Sequence, residues 1–336
     1  MIDPAATLMF AEAAEAPAAV ARQSANRRVV GDLAARLREN PPPLVATCAR
    51  GSSDHAATFA KYLFEIALGV PVTSIAPSTS SIYDAAPRLA GALCLAVSQS
   101  GRSPDLLAAA DAARHAGALV AAMVNAEDSP LADAADAVLP LRAGPERSVA
   151  ATKSFIGALA AILDLAAEWS GAAELRRARD AAPDALAQAW ALDWSAVVET
   201  LADARGLYVV GRGIGLAAAQ EAALKLKETC GLHAEAFSAA ELRHGPVALV
   251  GPGFPVIAFR QADGAAPSVD AAMQAAAARG APVLVAGRDL PVTDAPPVLQ
   301  PMCQILSFYR AAAALSVRRG FDPDRPEALS KVTETV

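Results

Sequence analysis

The chain has 336 residues, of which 54% are apolar, 19% charged and 5% aromatic, and it carries a net charge of −6. That balance excludes disordered, collagen-like and disulfide-stapled chains, and the length suits two globular domains at roughly 150 residues each. Mean hydropathy is +0.31, but no run approaches the ~18 apolar residues of a membrane span, and no basic stripe interleaved with aromatics offers a nucleic-acid surface; neither a membrane nor nucleic acid is an expected partner.

Residues 1–28 read as an N-terminal helical segment, the helix itself lying around 5–26. The first twenty residues hold Asp3, Glu12 and Glu15 and no Lys or Arg, the wrong charge for the start of a secretory signal, so a cytoplasmic protein is expected. Residues 29–170 read as a first α/β domain. In it LVATCARGSSDHAATFAKYLFE, at 44–65, is strand, Gly/Ser turn and helix, and ALCLAVSQS, at 92–100, is the next strand. Helices follow Pro104 and Thr152, and strands are expected at Leu119 to Val124 and Ala137 to Leu141. Residues 171–205, with Arg176, Arg177, Arg179, Trp190 and Trp194, form a helical connector. Residues 206–320 are a second α/β domain, with LYVVGRGIGLAAAQEAALKLKE at 207–228, a strand at Val283 to Ala286 and a helix after Ser268. The tail, 321–336, has Pro323, Pro326 and no helical period, and is too polar to pack as a core element.

The two domains repeat one plan. Arg50-Gly51 answers Arg212-Gly213 and Ser98-Gln99 answers Arg260-Gln261, both at an offset of 162 residues. Apolar strands alternating with helices are the pattern of βαβ crossovers. The expected fold class is therefore α/β, with two tandem parallel-sheet αβα sandwiches of the doubly wound, flavodoxin-like kind. Ligands of such sheets sit outside the carboxyl ends of the strands, which directs attention to the loops that follow them.

The loop Ser98-Gln99-Ser100-Gly101-Arg102-Ser103-Pro104 offers hydroxyls, an amide and backbone N–H groups at the start of a helix, with Ser103 placed as N-cap and Pro104 as first helical residue. That is an anion site, and Ser52 and Ser53 add hydroxyls at the neighbouring strand end. Glu221, Lys225 and Glu228 share one helix face at i, i+4 and i+7, where a carboxylate beside a lysine can shuttle a proton. LHAEAFSAAELRHGP holds His233 and His244, two of only four histidines, but no zinc spacing. Cys48, Cys94, Cys230 and Cys303 form no Cys-x-x-Cys pair and read as buried thiols. Lys331 stands in LSKVTETV, where its amine reaches a substrate only if the tail folds back.

Taken together, ARGSSDHA, SQSGRSPD, VAATKSF, ALKLKE, HAEAFSAAELRHGP and the terminal lysine, in that order, resemble the tandem branch of the sugar isomerase (SIS) domain family. That branch includes the isomerase half of glutamine–fructose-6-phosphate aminotransferase, SIS-type glucosamine-6-phosphate deaminases and fructosamine deglycases. The resemblance implies that Ser98, Gln99, Ser100, Ser103 and Ser53 bind a sugar phosphate and that Val149 and Ala151 line the sugar site. It implies that Glu228 moves a proton between carbons 1 and 2, supported by Lys225 and Glu221. His244 would open the ring from across a dimer interface, and Lys331 would contact the open chain. The implied protein is a cofactor-free, metal-free homodimer with shared active sites, acting on glucosamine 6-phosphate or fructose 6-phosphate. Three departures shape the expectation. Ile2 stands where the bifunctional enzyme has its cysteine nucleophile, so glutamine-dependent synthesis is not expected of this chain. Ala151 replaces a serine, and Val332-Thr333 after the lysine is closer to the deaminases. Deamination of glucosamine 6-phosphate is the leading reading; an isomerase, a deglycase and a non-catalytic phosphosugar sensor stand as alternatives.

Overall fold

A computed structural model describes residues 2–327 and 329–331. In chain order the helices and strands are α1 (Leu8–Ala14), α2 (Ala16–Arg22), α3 (Arg27–Glu39), β1 (Val45–Cys48), α4 (Ser52–Leu68), β2 (Val72–Ser74), α5 (Pro77–Ser81), β3 (Leu93–Ser98), α6 (Pro104–His115), β4 (Leu119–Val124), α7 (Pro130–Ala134) and β5 (Ala137–Pro140). There follow α8 (Lys153–Ser170), α9 (Ala173–Trp190), α10 (Ser195–Leu201), β6 (Gly206–Gly211), α11 (Leu216–Cys230), β7 (His233–Ser238), β8 (Val256–Ala258), α12 (Ala266–Ala278), β9 (Val283–Val285) and α13 (Gln300–Arg318). Among the described residues no helix is long and apolar enough to cross a membrane.

The chain divides into two compact units that are interleaved in sequence. The first takes residues 18–145 and 154–180; the second takes the chain's first residues to Pro17, then 146–153 and 181–331. The strip 146–153, which carries Val149 and Ala151, therefore belongs with the second sheet and not with the strands that precede it.

Each unit is built on an all-parallel sheet, ordered β2-β1-β3-β4-β5 in the first and β7-β6-β8-β9 in the second. The central strand β3, LCLAVS, is buried along its whole length, as a parallel strand covered on both faces must be. The repeat extends beyond the two elements legible in sequence. Val45 pairs with Val72 and Leu207 with Ala234; Ala46 pairs with Cys94 and Tyr208 with Val256, each position 162 residues from its counterpart. The third pairing slips by one, Cys94 facing Val120 whereas Val256 faces Val283. The helices α4 and α11 both end on a left-handed glycine, Gly69 and Gly231.

Three elements differ from expectation. The N-terminal helix is broken in two, because Pro17 lacks an N–H and its ring clashes with the carbonyl four residues back; α1 stops at Ala14 and α2 restarts at Ala16. A turn at Gln23–Asn26 then separates α2 from α3. There the buried Gln23 amide donates to the carbonyls of Leu141 and Gly157, and that of Asn26 to Pro140, so these side chains are spent on tertiary contacts. His233–Ser238, for which no strand is expected above, is the edge strand β7, with His233 and Glu235 exposed around buried Ala234. Val332-Thr333 lies outside the described residues.

The tail to Lys331 docks within its own unit without forming a helix. The Asp324 carboxylate accepts the backbone N–H groups of Leu8 and Met9 at 2.7 Å, capping the first turn of α1 with negative charge where the helix dipole favours it.

The repeat provides a matched test of packing. A Cβ on Gly69 meets no atom within 4 Å, whereas one on Gly231 falls 2.5 Å from the Phe321 ring. Both alanine variants bear the left-handed penalty of ~1 kcal/mol, and Gly231→Ala should cost a further ~1–3 kcal/mol for overpacking, read as the difference between their denaturant midpoints.

Candidate active site

β1 and β3 lie side by side, which sets the loops that follow them next to each other. Ser98 closes β3 and is buried; its hydroxyl accepts the Gly101 N–H at 3.0 Å. The Gln99 carbonyl accepts the N–H groups of Asn125 and Ala126, which ties the loop to the end of β4. Ser100 Oγ accepts the Arg102 N–H at 3.3 Å. Ser103 occupies the N-cap of α6 with extended backbone, but its hydroxyl makes no capping bond. The expected capping role of Ser103 is thus absent, and the first turn of α6 is closed instead by Asp105, whose carboxylate accepts the Leu106 N–H. Ser53 stands half-buried in the first turn of α4.

One ion pair spans these loops. Arg50 reaches from the end of β1 to the fully buried Asp105 at the start of α6, with Nε and Nη2 at 2.9 and 2.8 Å from the same oxygen, Oδ2. The other oxygen of Asp105 accepts the Leu106 N–H. The guanidinium is half exposed, so the serine loop has a fixed cation at its edge.

The equivalent loop of the second unit is closed by its own side chains. Gln261 Nε2 donates to the Arg212 carbonyl at 2.6 Å, and Asp263 accepts the Ala265 N–H at the start of α12. An anion arriving there would meet a carboxylate already in place.

The second unit instead carries charge inside α11. Lys225 and Glu221 are completely buried on this alanine-rich helix, 3.4 Å apart, and Lys225 also pairs with Glu228, whose side chain is 22% exposed. From α13, Tyr309 donates its hydroxyl to Glu221 Oε1 at 3.1 Å. Burial alone would push the Lys225 ammonium down, but the charges of Glu221 and Glu228 outweigh it and hold the group above its usual 10.5. Burial and then the charge of Glu221 push the Tyr309 phenol well above its usual range, so it remains a donor. The result is a hydrogen-bonded line from a buried phenol to a carboxylate with one side in solvent.

Glu228 occupies the last turn of α11, beside the amino ends of β6 and β7, not at the Arg212 turn. His244 is exposed in a short turn, Glu241–His244, beyond the carboxyl end of β7. A six-residue strand of about 20 Å separates the two ends, and the single chain does not bring His244 to Glu228.

The strip 146–153 and the tail complete the second unit's set. Lys331 Nζ donates to the Ser148 carbonyl at 2.7 Å and lies 3.5 Å from Glu146 Oε2. Val149 and Ala151 are half-buried between the buried Ser148, Ala150 and Thr152. Among the described residues no cluster of His, Cys, Asp and Glu could hold a metal ion. All four cysteines are free and buried, and burial pushes the thiols up, Cys230 to about 11 and Cys94 to about 12, away from thiolate chemistry.

The SIS domain family model matches residues 44–167 and 200–291. The chain belongs to the SIS domain family. It is 36% identical over 308 residues to a glutamine–fructose-6-phosphate aminotransferase of Aeropyrum pernix, covering 84% of this chain and 49% of that protein. A homologous enzyme of Symbiobacterium thermophilum is also 36% identical, over 85% of this chain and 51% of its own length. The chain therefore spans about half the length of these relatives. Among solved structures, a Silicibacter pomeroyi protein provisionally described as a phosphosugar isomerase is 44% identical with a TM-score of 0.90, over 95% of this chain and all of that one. The C-terminal domain of the Francisella tularensis aminotransferase is 25% identical with a TM-score of 0.80, over 96% and 98% of the two chains.

Within this SIS chain, Arg50 and Asp105 lie inside the motifs read from the sequence but were given no role there, and Glu146 and Tyr309 lie outside them. Tyr309 had a sequence signal: a lone phenol in the apolar run CQILSFYRAAAAL needs a partner once buried. Lys225→Met should destabilise the chain by ~3–5 kcal/mol by stranding Glu221 in the core, measured by chemical denaturation. Because Lys225 is held above 10.5, its contribution is complete below that pH and is lost only as pH rises through the folded value. Between pH 6 and 9 Lys225 itself should therefore add no slope to the wild-type stability profile, read by chemical denaturation at each pH.

Proposed function

We propose that this chain is a phosphosugar enzyme that converts glucosamine 6-phosphate and water to fructose 6-phosphate and ammonia. The carrying observation is Glu228, a carboxylate partly in solvent and backed by a buried lysine whose charge is guaranteed by Glu221. An aldose–ketose shift needs a base that can give and take a proton at adjacent carbons, and a fixed cation behind it holds the carboxylate in one geometry through both transfers.

The remaining roles follow the chemistry of each group. The loop between β3 and α6, with Ser98, Gln99, Ser100 and Ser103, together with Ser53, takes the phosphate. Glu228 removes the proton from carbon 2 of the opened aldehyde and returns it to carbon 1, leaving an imine at carbon 2. Water adds to that imine and ammonia leaves, so atoms and charge balance with no cofactor. Lys331 holds the open chain along Val149 and Ala151. His244 opens the ring, and its exposure far from Glu228 within one chain suits a role supplied by a second copy in a homodimer.

Purified protein incubated with glucosamine 6-phosphate should release ammonia and fructose 6-phosphate in equal amounts, and Glu228→Gln should lower kcat by about 10²–10⁴-fold. A folded protein that releases no ammonia from this substrate overturns the deaminase reading. A second reading, interconversion of fructose 6-phosphate and glucose 6-phosphate, is favoured by the relatedness to aminotransferases that bear the description isomerizing. Glucose 6-phosphate formed from fructose 6-phosphate alone, without ammonia release from the amino sugar, would select it.

A further inference from the structure

Glu146 has no role in the reading above, yet its surroundings are built around it. Its side chain is wholly buried. One carboxylate oxygen accepts the Thr152 N–H at 2.9 Å, and the other faces Lys331 Nζ at 3.5 Å. A buried carboxylate requires a cation and hydrogen bonds to stay in place, so Glu146 cannot swing toward solvent while Lys331 is docked. The lysine otherwise stands in a stretch, 329–331, that is neither helix nor strand, and an unrestrained lysine has about 2 kcal/mol of rotamer entropy to lose before it can be aimed at anything.

The peptide that receives the amine is fixed from its other side. Glu12, on α1, accepts the N–H groups of Arg147 at 2.5 Å and Ser148 at 3.1 Å, while the Ser148 carbonyl takes the lysine. Beside this pair, Ser148 Oγ and Thr152 Oγ1 are buried with no protein hydrogen-bond partner among the described residues. The charge of Glu146 also acts on Tyr309, together with those of Glu221 and Glu228, so the lysine's anchor and the base's supports lie in one electrostatic neighbourhood.

We infer that Glu146 is a positioning residue that aims the Lys331 amine along the 146–153 strip, with Glu12 holding the strip in register. The inference rests on the reading of Lys331 as the lysine that meets the open-chain sugar. Its test begins with a measurement that needs no substrate. Folded full-length wild type, Glu146→Gln, Glu146→Asp and Glu12→Gln are labelled with limiting acetic anhydride, and acetylation of Lys331 is read by mass spectrometry against the exposed Lys227.

Freeing the amine should raise the Lys331 to Lys227 ratio about fivefold in Glu146→Gln, less in Glu12→Gln, and return it near the wild-type value in Glu146→Asp. An unchanged ratio in Glu146→Gln overturns the inference. Should that variant fail to fold, Glu12→Gln decides, since it leaves the Glu146–Lys331 pair intact and an unchanged ratio there removes the strip from the account. On the turned-over phosphosugar, kcat of Glu146→Gln should fall at least about tenfold with KM nearly constant and with recovery in Glu146→Asp. A raised labelling ratio with unchanged kcat shows that the contact is merely structural and also overturns the inference. If the wild type turns over no phosphosugar, the reading of Lys331 fails, and the role of Glu146 in catalysis fails with it whatever the labelling shows.

Discussion

A lysine ammonium taken wholly out of water is the constraint around which the second unit is arranged. Lys225 could not survive there unpaired, since a stranded buried charge costs several kcal/mol. Its helix must therefore place Glu221 and Glu228 on the same face, and α13 must bring Tyr309 close enough to satisfy Glu221. Close approach in turn needs small side chains: Ala217, Ala218, Ala219, Ala222 and Ala223 are all buried on α11. The alanine richness of the chain and the charge in its core are two sides of one requirement, because thin helices let polar groups from neighbouring elements meet without voids.

The two units show how one backbone frame supports opposite electrostatics. Register and crossover length are held across the repeat at two strand pairings, while the loops at the carboxyl ends have diverged. In the first unit serines follow β3, and the Asp105 carboxylate in the first turn of α6 is paired with Arg50. In the second, Gln261 and Asp263 fill the same position and supply their own anion. The frame is set by continuous apolar strands and glycine turns and holds to within one residue across the repeat; the loops bear no such load and are free to specialise.

What could be read from the sequence divides along the range of the interactions. The buried strands β1, β3, β4 and β6 announce themselves as apolar runs, and Glu221, Lys225 and Glu228 declare a shared face by helical spacing alone. The strands β2 and β7 do not: Val72–Ser74 has a single buried residue, and β7 hides its alternation among chemically suggestive His and Glu residues. Contacts across long separations were invisible: Arg50 finds Asp105 at 55 residues, Tyr309 finds Glu221 at 88, and Lys331 finds Ser148 at 183. No periodicity encodes such pairs. The break at Pro17 was legible in principle, since proline's missing N–H is a local property, but an alanine-rich stretch masks it.

The bond from Asp324 to the first turn of α1 links backbone groups 316 and 315 residues away. During synthesis at roughly 5–20 residues per second, α1 leaves the ribosome about 15–60 s before its cap is translated. Throughout that interval the first helix waits, its apolar face bare, while the first unit can already be complete. The second unit is thus the last to close, a delay set by topology and not by the intrinsic stability of either sheet.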